Sequence, residues 1–307
     1  MLFFRAQFSY CYFMDENSEL IIGIDGGGTG CRVAIARRDG LILGTGKSGP
    51  ANPTNKPQTA LANINAAIKA AQNDAGLDDD QILTAHAYAG LAGVRDRKVA
   101  KFIADGLPFH HVQVVEDRVT SVMGALAGGT GSVAPIGTGS FLARSTDQGT
   151  RYLGGWGFCL GDQASGAWLG HELLKQVVLA CEGVRDHSDL TQEILTQYNG
   201  NADGIYDFAN DASPAQFGQL APQLVGAADQ GDEAATALMQ AGADYIVKGL
   251  NALGHKPQEP LCLTGGLGPH YAQYLPQDYQ GNLIKAKGTA LDGALLLAAA
   301  MKPVKNT

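Results

Sequence analysis

The stretch LIIGIDGGGTGCRVAIAR, residues 20–37, decides the fold. The apolar run Leu20–Asp25 predicts a buried strand, and the alternating polarity of Cys31–Arg37 predicts a second strand. Between them, Gly26–Gly30 supplies a turn of four glycines and one threonine. Asp39-Gly40 is a two-residue hairpin signal, so a third strand should follow it. The chain therefore opens with three hairpin-linked strands.

Helix and strand signals alternate after this opening. Apolar residues recur at helical spacing over residues 58–75, and Gly76 is a helix stop. The remaining signals of the first half predict a strand, a helix and another strand, at Ile82–Ala89, Asp96–Asp105 and Val112–Val115.

The same order of elements then begins again. Ser132–Ile136 predicts a strand and Gly137–Ser140 a glycine-rich turn, and two more strands follow. Residues 163–253 are mostly helical in pattern, and residues 289–301 predict a final Ala/Leu-rich helix. This repeated pattern predicts two similar halves of mixed α/β architecture, facing each other across a cleft.

We expect the two domains to cover residues 20–121 and 122–307. The final helix would pack back across the interface between them. Residues 1–19 would be a poorly packed extension, because their apolar part lacks the features of a signal peptide and is too short to span a bilayer.

Composition excludes several functional classes. The 22 basic and 30 acidic residues give a formal net charge of −8, which disfavours a nucleic-acid partner. The five cysteines are widely spaced and include no CxxC pair, which disfavours a disulfide framework and a zinc site. No segment reaches the length of a membrane span. A reducing cytoplasm is the expected location.

The first glycine turn is a candidate phosphate-binding loop. Successive glycines in Gly26, Gly27, Gly28, Thr29 and Gly30 let backbone N–H groups approach phosphate oxygens, and the threonine adds a hydroxyl donor. The alternative is a tight hairpin without a ligand, although a hairpin needs fewer glycines. Asp25, at the end of the preceding strand, is positioned to hold a magnesium ion through water.

Two better-known phosphate motifs do not match. GxGxxG counted from Gly26 would require glycine where Cys31 stands, and a helix where an alternating strand follows. The P-loop pattern GxxxxGK[ST] is nearly met by Gly40 and Gly46-Lys47-Ser48, but the spacing between the two glycines is one residue too long.

Two further glycine-rich turns complete a predicted nucleotide site. Gly137, Thr138, Gly139 and Ser140 occupy the corresponding turn of the second half, where they would contact the same phosphate chain. Thr264, Gly265, Gly266 and Gly268 lie between a short apolar strand and a helix, where bare backbone could face an adenosine. A plain strand-to-helix connection is the alternative for this third turn.

The stretch GGWGFCLGDQASGAW, residues 154–168, has the composition of a sugar-facing segment. A carboxylate such as that of Asp162 accepts paired hydrogen bonds from neighbouring sugar hydroxyls. Asp162 could also cap a helix that starts near Gln163. Trp156 and Trp168 are expected in the core.

A second acidic position follows the strand Val112–Val115. Phosphoryl transfer to a hydroxyl needs an acceptor for the hydroxyl proton, and Asp117 is the candidate for that general base. Glu116 is the rival acid, and a carboxylate that only starts a helix is the structural alternative.

Taken together and in this order, these motifs resemble the bacterial N-acetylglucosamine/glucosamine kinases of the BadF/BadG/BcrA/BcrD ATPase family, in the actin–hexokinase–Hsp70 superfamily. The motifs are DGGGTG, the acid at Asp117, GTGS, GGWGFCLGDQASGAWLG, TGGLG and GTALDGALLLA. The resemblance extends from about Leu20 to Met301.

The resemblance implies two RNase-H-like domains, with ATP and Mg²⁺ as cofactors and an amino sugar as substrate. Asp117 would accept the proton of the sugar 6-hydroxyl, and Asn52, Thr138 and Asp162 would contact the sugar. N-acetylglucosamine is the expected acceptor, and glucosamine is the alternative within the same chemistry. A homodimer is expected by resemblance alone.

Two departures from the family pattern leave both N-acetylglucosamine and glucosamine as candidate sugars. Some relatives carry serine in the stretch that reads Gly90-Leu91-Ala92-Gly93 here, and the common GDEGS reads GDQAS at residues 161–165. The rival functions are an activator ATPase of acyl-CoA dehydratases, which needs paired cysteines, and a sugar sensor without catalysis, which needs no base.

Overall fold

The computed structural model describes residues 19–54 and 56–302. The expected extension at residues 1–19 thus lies outside the described residues except for Glu19. The chain divides into two compact units, residues 1–124 with 289–307 and residues 125–288. Within the described ranges, no helix is both long enough and apolar enough to cross a membrane.

The first unit is built on a five-stranded sheet in the order β3-β2-β1-β4-β5. The glycine turn joins β1 to β2 as an antiparallel pair, whereas β1, β4 and β5 run parallel. Helix α1 packs against β2 and β3. The strands are β1 (Leu20–Gly26), β2 (Cys31–Arg37), β3 (Ile42–Ser48), β4 (His86–Leu91) and β5 (His111–Glu116). The helices are α1 (Pro57–Ala75), α2 (Asp79–Leu83), α3 (Arg97–Asp105) and α4 (Asp117–Leu126).

The predicted strand Ile82–Ala89 is wrong over its first residues, which belong to helix α2 and the turn after it. Asp78 caps this helix by accepting from the Gln81 backbone N–H at 2.9 Å, and the Gln81 side chain accepts from the Asp78 N–H in return. Ile82 is buried, and a single buried apolar residue does not distinguish a helical turn from a strand.

The second unit repeats the sheet of the first. Read from the other edge, its strand order is β8-β7-β6-β9-β10, with three antiparallel strands followed by two parallel ones. The predicted α/β fold with two similar halves is therefore confirmed. The strands are β6 (Gly131–Pro135), β7 (Phe141–Thr146), β8 (Gly149–Gly154), β9 (Leu261–Thr264) and β10 (Leu283–Ile284).

Helices cover the second sheet and fill the predicted helical region between residues 163 and 253. A continuous apolar core runs from Ala134 and Leu142 on the strands to Leu173 and Ile246 on the helices. The helices are α5 (Gly166–Cys181), α6 (Asp189–Gln197), α7 (Ala202–Asp211), α8 (Pro214–Gly218), α9 (Ala221–Asp229), α10 (Glu233–Ala252) and α11 (Gln277–Gln280), with a 3-10 helix at Gly268–Tyr274.

The last helix, α12 (Ala290–Ala299), belongs to the first unit. It packs on β1 and β4, and a Cβ at Gly23 would lie 2.9 Å from Leu295 Cγ, so only glycine lets the helix approach this closely. The first unit is thus discontinuous in sequence, and the divisions between the units lie between Gly124 and Ala125 and between Gly288 and Thr289.

Candidate active site

In the first unit, the candidate residues gather at the carboxyl ends of three neighbouring parallel strands. The register pairs Gly26 of β1 with Leu91 of β4, and Leu91 with Glu116 of β5. The glycine turn follows the first of these residues, and Asp117 follows the last. Open α/β sheets bind their ligands at this edge of the sheet. The fold therefore places the glycine turn and Asp117 at one edge.

Asp117 is the first residue of helix α4 and lies in an acidic, partly buried setting. Burial, as the largest cause, and the negative charges of Glu116 and Asp25 together raise the pKa of its carboxyl to about 6. A backbone hydrogen bond from Arg118 and the charge of its guanidinium act in the opposite direction. A carboxylate with a pKa near neutrality is suited to accept a proton during catalysis.

Glu116, the rival acid, is occupied by an ion pair. Its Oε2 accepts from Nη2 of Arg118 at 2.6 Å. This ion pair occupies the carboxylate oxygen that a hydroxyl proton would otherwise approach. The geometry therefore favours Asp117 over Glu116 as the base.

The glycines of the first turn fall into two groups. A Cβ at Gly26 would lie 2.6 Å from Leu91 Cδ2, and one at Gly30 would lie 3.2 Å from the Ser48 carbonyl, so packing explains these two glycines. A Cβ at Gly27 or Gly28 would meet no heavy atom within 4 Å, and neither residue has a left-handed backbone. Neither packing nor strain explains these two glycines. An open backbone of this kind is what a phosphate-binding loop requires.

Asp25 is largely shielded, with a side chain 12% exposed, and its Oδ2 accepts from Nη2 of Arg32 at 2.6 Å. In the register of the β2–β3 ladder, Arg32 lies opposite Lys47. These three residues line a concavity of about 340 Å³ together with Gly27 and Thr29. Two cations beside a glycine turn suit a phosphate group, and an oxygen ligand such as Asp25 suits magnesium.

The sequence reasoning did not single out Arg32 or Lys47. The signal was present, since Arg32 lies just after the glycine turn and Lys47 lies on the strand that pairs with that segment. A cation on an alternating strand, however, usually belongs to a solvent-exposed face. The strand register was needed to place them opposite each other.

Asn52 lies beside the same turn. Its Oδ1 accepts from the Thr54 backbone N–H at 2.9 Å, and the two side chains line a concavity of about 400 Å³ with Gly28. Gly93 contacts Asn52 so closely that a Cβ there would lie 2.3 Å from Oδ1. The first unit thus brings together Asn52 and the glycine turn.

In the second unit, the Gly137–Ser140 turn and Asp162 lie against each other. Oδ1 of Asp162 accepts from the Ser140 N–H at 3.4 Å, and a Cβ at Gly139 would lie 2.9 Å from Oδ2. Packing against the carboxylate therefore explains Gly139. A Cβ at Gly137 would meet nothing within 4 Å, as at Gly27 and Gly28.

The interpretation of Asp162 as a helix cap is wrong. Helix α5 begins at Gly166, and Oγ of Ser165 caps it by accepting from the Trp168 N–H at 3.1 Å. Asp162 has a left-handed backbone with φ 58° and Ala164 has one with φ 67°, a conformation that non-glycine residues adopt at an energetic cost. The segment also leaves Trp156 67% exposed, so the expectation that it lies in the core is wrong.

A cavity of about 460 Å³ lies beside the second and third turns, a size typical of small-molecule sites. Of the four residues predicted to face adenosine, only Gly266 lines it. Gly265 has φ 79° and Gly268 packs on Leu263, so turn geometry and packing explain these two glycines. The cavity is lined by Gly137, Thr138, Gly166, Gly218, Ala221, Pro222, Val225, Gly266, Leu267 and His270.

Helices α8 and α9, which supply part of this wall, were not predicted as site elements. Ala221 and Val225 are one helical turn apart on α9 and therefore share a face. Small apolar residues at this spacing are so common in cores that the sequence alone could not identify them as a ligand surface.

Comparisons with known proteins agree with this architecture. Glucosamine kinase GspK of Vibrio cholerae is 34% identical over 289 residues, which are 93% of this chain and 97% of the relative. N-acetyl-D-glucosamine kinase of Dictyostelium discoideum is 28% identical, over 81% of this chain and 86% of the relative. The crystal structure of a Chromobacterium violaceum protein assigned as an N-acetylglucosamine kinase superposes with a TM-score of 0.81 at 31% identity, over 92% of this chain and 99% of that one.

The match to a family as a whole covers most of the chain. Residues 22–298 match the BadF/BadG/BcrA/BcrD ATPase family, a range that includes both sheets except the first two residues of β1, and every candidate site residue named above. The chain belongs to the BadF/BadG/BcrA/BcrD ATPase family.

Proposed function

We propose that the chain is an ATP- and magnesium-dependent kinase that phosphorylates the 6-hydroxyl of N-acetylglucosamine, giving N-acetylglucosamine 6-phosphate and ADP. The observation that carries this proposal is the raised pKa of Asp117, about 6, at the strand edge where the glycine turn begins. The relatives named as amino-sugar kinases support the choice of substrate class.

The residues of the first unit fit a magnesium–nucleotide complex. Gly27 and Gly28 leave their backbone open to a phosphate group, and Asp25 offers a carboxylate oxygen beside them. A bound magnesium ion would neutralise charge on the transferred phosphoryl group. Arg32 now pairs with Asp25, and its guanidinium would serve the phosphate oxygens as well.

Asp117 would act on the acceptor. Its carboxylate would take the proton of the sugar 6-hydroxyl as the oxygen attacks phosphorus, which makes the oxygen a better nucleophile. Asn52 and Asp162 would orient the sugar by hydrogen bonds to its other hydroxyls. A homodimer and a cytoplasmic location remain predictions.

Glucosamine is the second candidate acceptor. It is favoured by the 34% identity to a glucosamine kinase, which exceeds the 28% identity to the N-acetyl-D-glucosamine kinase. The two sugars differ only at the 2-amino group, so a few side chains of the sugar pocket set the preference.

A coupled assay of ADP release tests the proposal. Purified protein with ATP and Mg²⁺ should release ADP when either amino sugar is added, and ³¹P NMR should identify the product as a 6-phosphate. The ratio of kcat/KM for the two sugars decides between them. ADP release that is the same with and without either sugar would contradict the kinase proposal.

A further inference from the structure

The cavity of about 460 Å³ in the second unit offers few groups that could read the edge of a nucleobase. Its lining consists of four glycines, one alanine, one proline, one valine and one leucine, with Thr138 and His270 as the two residues whose side chains can form hydrogen bonds. Among these described lining residues, no side chain is that of an aspartate, glutamate, asparagine, glutamine, lysine or arginine. A site discriminates between bases through polar groups of this kind, because the wrong base leaves them without a hydrogen-bond partner.

Much of the backbone around the cavity is already used. The N–H groups of Gly137, Gly166, Leu267 and His270 each donate to a carbonyl of the same unit at 2.8–3.0 Å. Pro222 has no N–H to offer. The wall therefore presents mainly Cα, methyl and methylene groups to a bound base.

Thr138 and His270 do not supply a selective contact. Thr138 belongs to the glycine turn predicted to contact phosphate, so its hydroxyl is expected at the phosphate chain rather than at the base, and its backbone carbonyl accepts from the Ala167 N–H. The imidazole of a histidine such as His270 carries, in its neutral form, one donor and one acceptor nitrogen, and its two tautomers exchange these roles. It can thus meet either the 6-amino group of adenine or the 6-oxo group of guanine.

We propose that this cavity binds purine nucleotides without discriminating between adenine, guanine and hypoxanthine. The identification of the cavity as the nucleoside site rests on the proposed function. The enzyme then uses ATP, GTP or ITP as phosphoryl donor. In each case the bond between the γ-phosphorus and its bridging oxygen breaks, the sugar O6 forms the new bond, Asp117 takes the O6 proton, and the nucleoside diphosphate leaves.

Calorimetric binding of ADP, GDP and IDP with Mg²⁺ and without sugar tests the proposal directly. A pocket without hydrogen-bonding groups discriminates between related ligands by at most ~10²-fold in affinity. A pocket that forms hydrogen bonds to a polar group of its ligand rejects an analogue without that group by ~10⁴-fold or more. We expect the three Kd values to lie within about 10²-fold of one another. A wider spread would overturn the proposal.

His270→Ala separates a shared contact from a selective one. We expect the affinities for ADP and GDP to fall by similar factors, because the imidazole serves both bases. A loss confined to ADP would show that His270 reads the 6-amino group and would overturn the proposal. Gln273→Ala, on the same 3-10 helix but outside the cavity lining, is the matched control and should leave both affinities unchanged.

Turnover distinguishes failure of this inference from failure of the proposed function. With an amino sugar as acceptor, kcat/KM for ATP, GTP and ITP should differ by less than about 10²-fold. Transfer from ATP alone would contradict the inference and leave the kinase proposal standing. Uniform binding of the three diphosphates without transfer from any triphosphate would contradict the kinase proposal and leave the binding inference standing.

Discussion

At the scale of single residues, Asp117 determines how the proposed activity depends on pH. Its pKa of about 6 lies above the ordinary aspartate value of 3.8, so the carboxyl is protonated and inactive as a base below pH 6. We expect kcat/KM to fall about tenfold per pH unit below pH 6 and to level off above pH 7. A pH–rate profile between pH 4.5 and 8 measures this. A profile that stays level down to pH 4.5 would show that the base is another group.

The same pKa shift predicts a stability effect of opposite sign. Because the folded-state pKa exceeds the unfolded value, the folded protein binds a proton more tightly, and its stability falls as pH rises from 4 to 6. Asp117→Asn removes this ionisation penalty and should stabilise the protein at pH 7, by on the order of 3 kcal/mol. Urea unfolding at pH 7 measures the change, and a destabilised variant would argue against the burial of an ionised Asp117.

The two groups of glycines predict different losses. Gly28→Ala should fold as the parent does, because its methyl group meets no neighbour, but should bind nucleotide at least tenfold more weakly. Gly26→Ala should instead lose about 1–3 kcal/mol of stability through its clash with Leu91. Thermal unfolding and ADP titration of both variants separate these effects. Full nucleotide affinity in Gly28→Ala would remove Gly28 from the site.

At the scale of secondary-structure elements, one hydrogen bond connects the 3-10 helix to the segment that carries Asp162. Oη of the buried Tyr271 donates to the Ala164 carbonyl at 2.7 Å, and burial raises the pKa of this phenol. Tyr271→Phe leaves that carbonyl without this donor and should cost about 1–3 kcal/mol. Urea unfolding measures it. A loss below 0.5 kcal/mol, within the range of surface substitutions, would show that the bond is not needed.

Element order could be predicted from the sequence, whereas contacts within the site could not. Polarity alternation and glycine turns identified β1 and β2, and the helix stop at Gly76 marks the end of α1, where φ is 67°. These signals are local. The Asp25–Arg32 pair, the lining from α9 and the cap at Ser165 depend on register and on long-range packing, which periodicity does not encode. The short helix α2 was missed because its capping box covers only one turn.

At the scale of the whole molecule, the end of the chain completes the first unit. Leu295 of α12 is 9% exposed and packs toward Gly23, whereas its neighbour Leu296 is 44% exposed. Leu295→Ala should cost about 2–4 kcal/mol, and Leu296→Ala, the matched control, less than about 0.5 kcal/mol. Urea unfolding of both variants measures the difference. A loss in Leu295→Ala as small as that expected for Leu296→Ala would show that α12 contributes little to the stability of the first unit.

The duplicated topology explains why one chain can carry two glycine turns of similar design. Each sheet places a turn between its first two antiparallel strands, after Gly26 in the first unit and after Ile136 in the second. The first turn leaves Gly27 and Gly28 open, and the second leaves Gly137 open. Each unit therefore carries a glycine turn with open backbone, while Asp117 belongs to the first unit only.

The most direct test of the account is the kcat of Asp117→Asn beside that of Glu116→Gln, with ATP, Mg²⁺ and an amino sugar at saturation. We expect Asp117→Asn to lose ~10²–10⁴-fold in kcat while its affinity for ADP is retained. Glu116→Gln, whose carboxylate is paired with Arg118, should keep kcat within about tenfold of the parent, well short of the loss of a general base. Full turnover by Asp117→Asn would contradict the account.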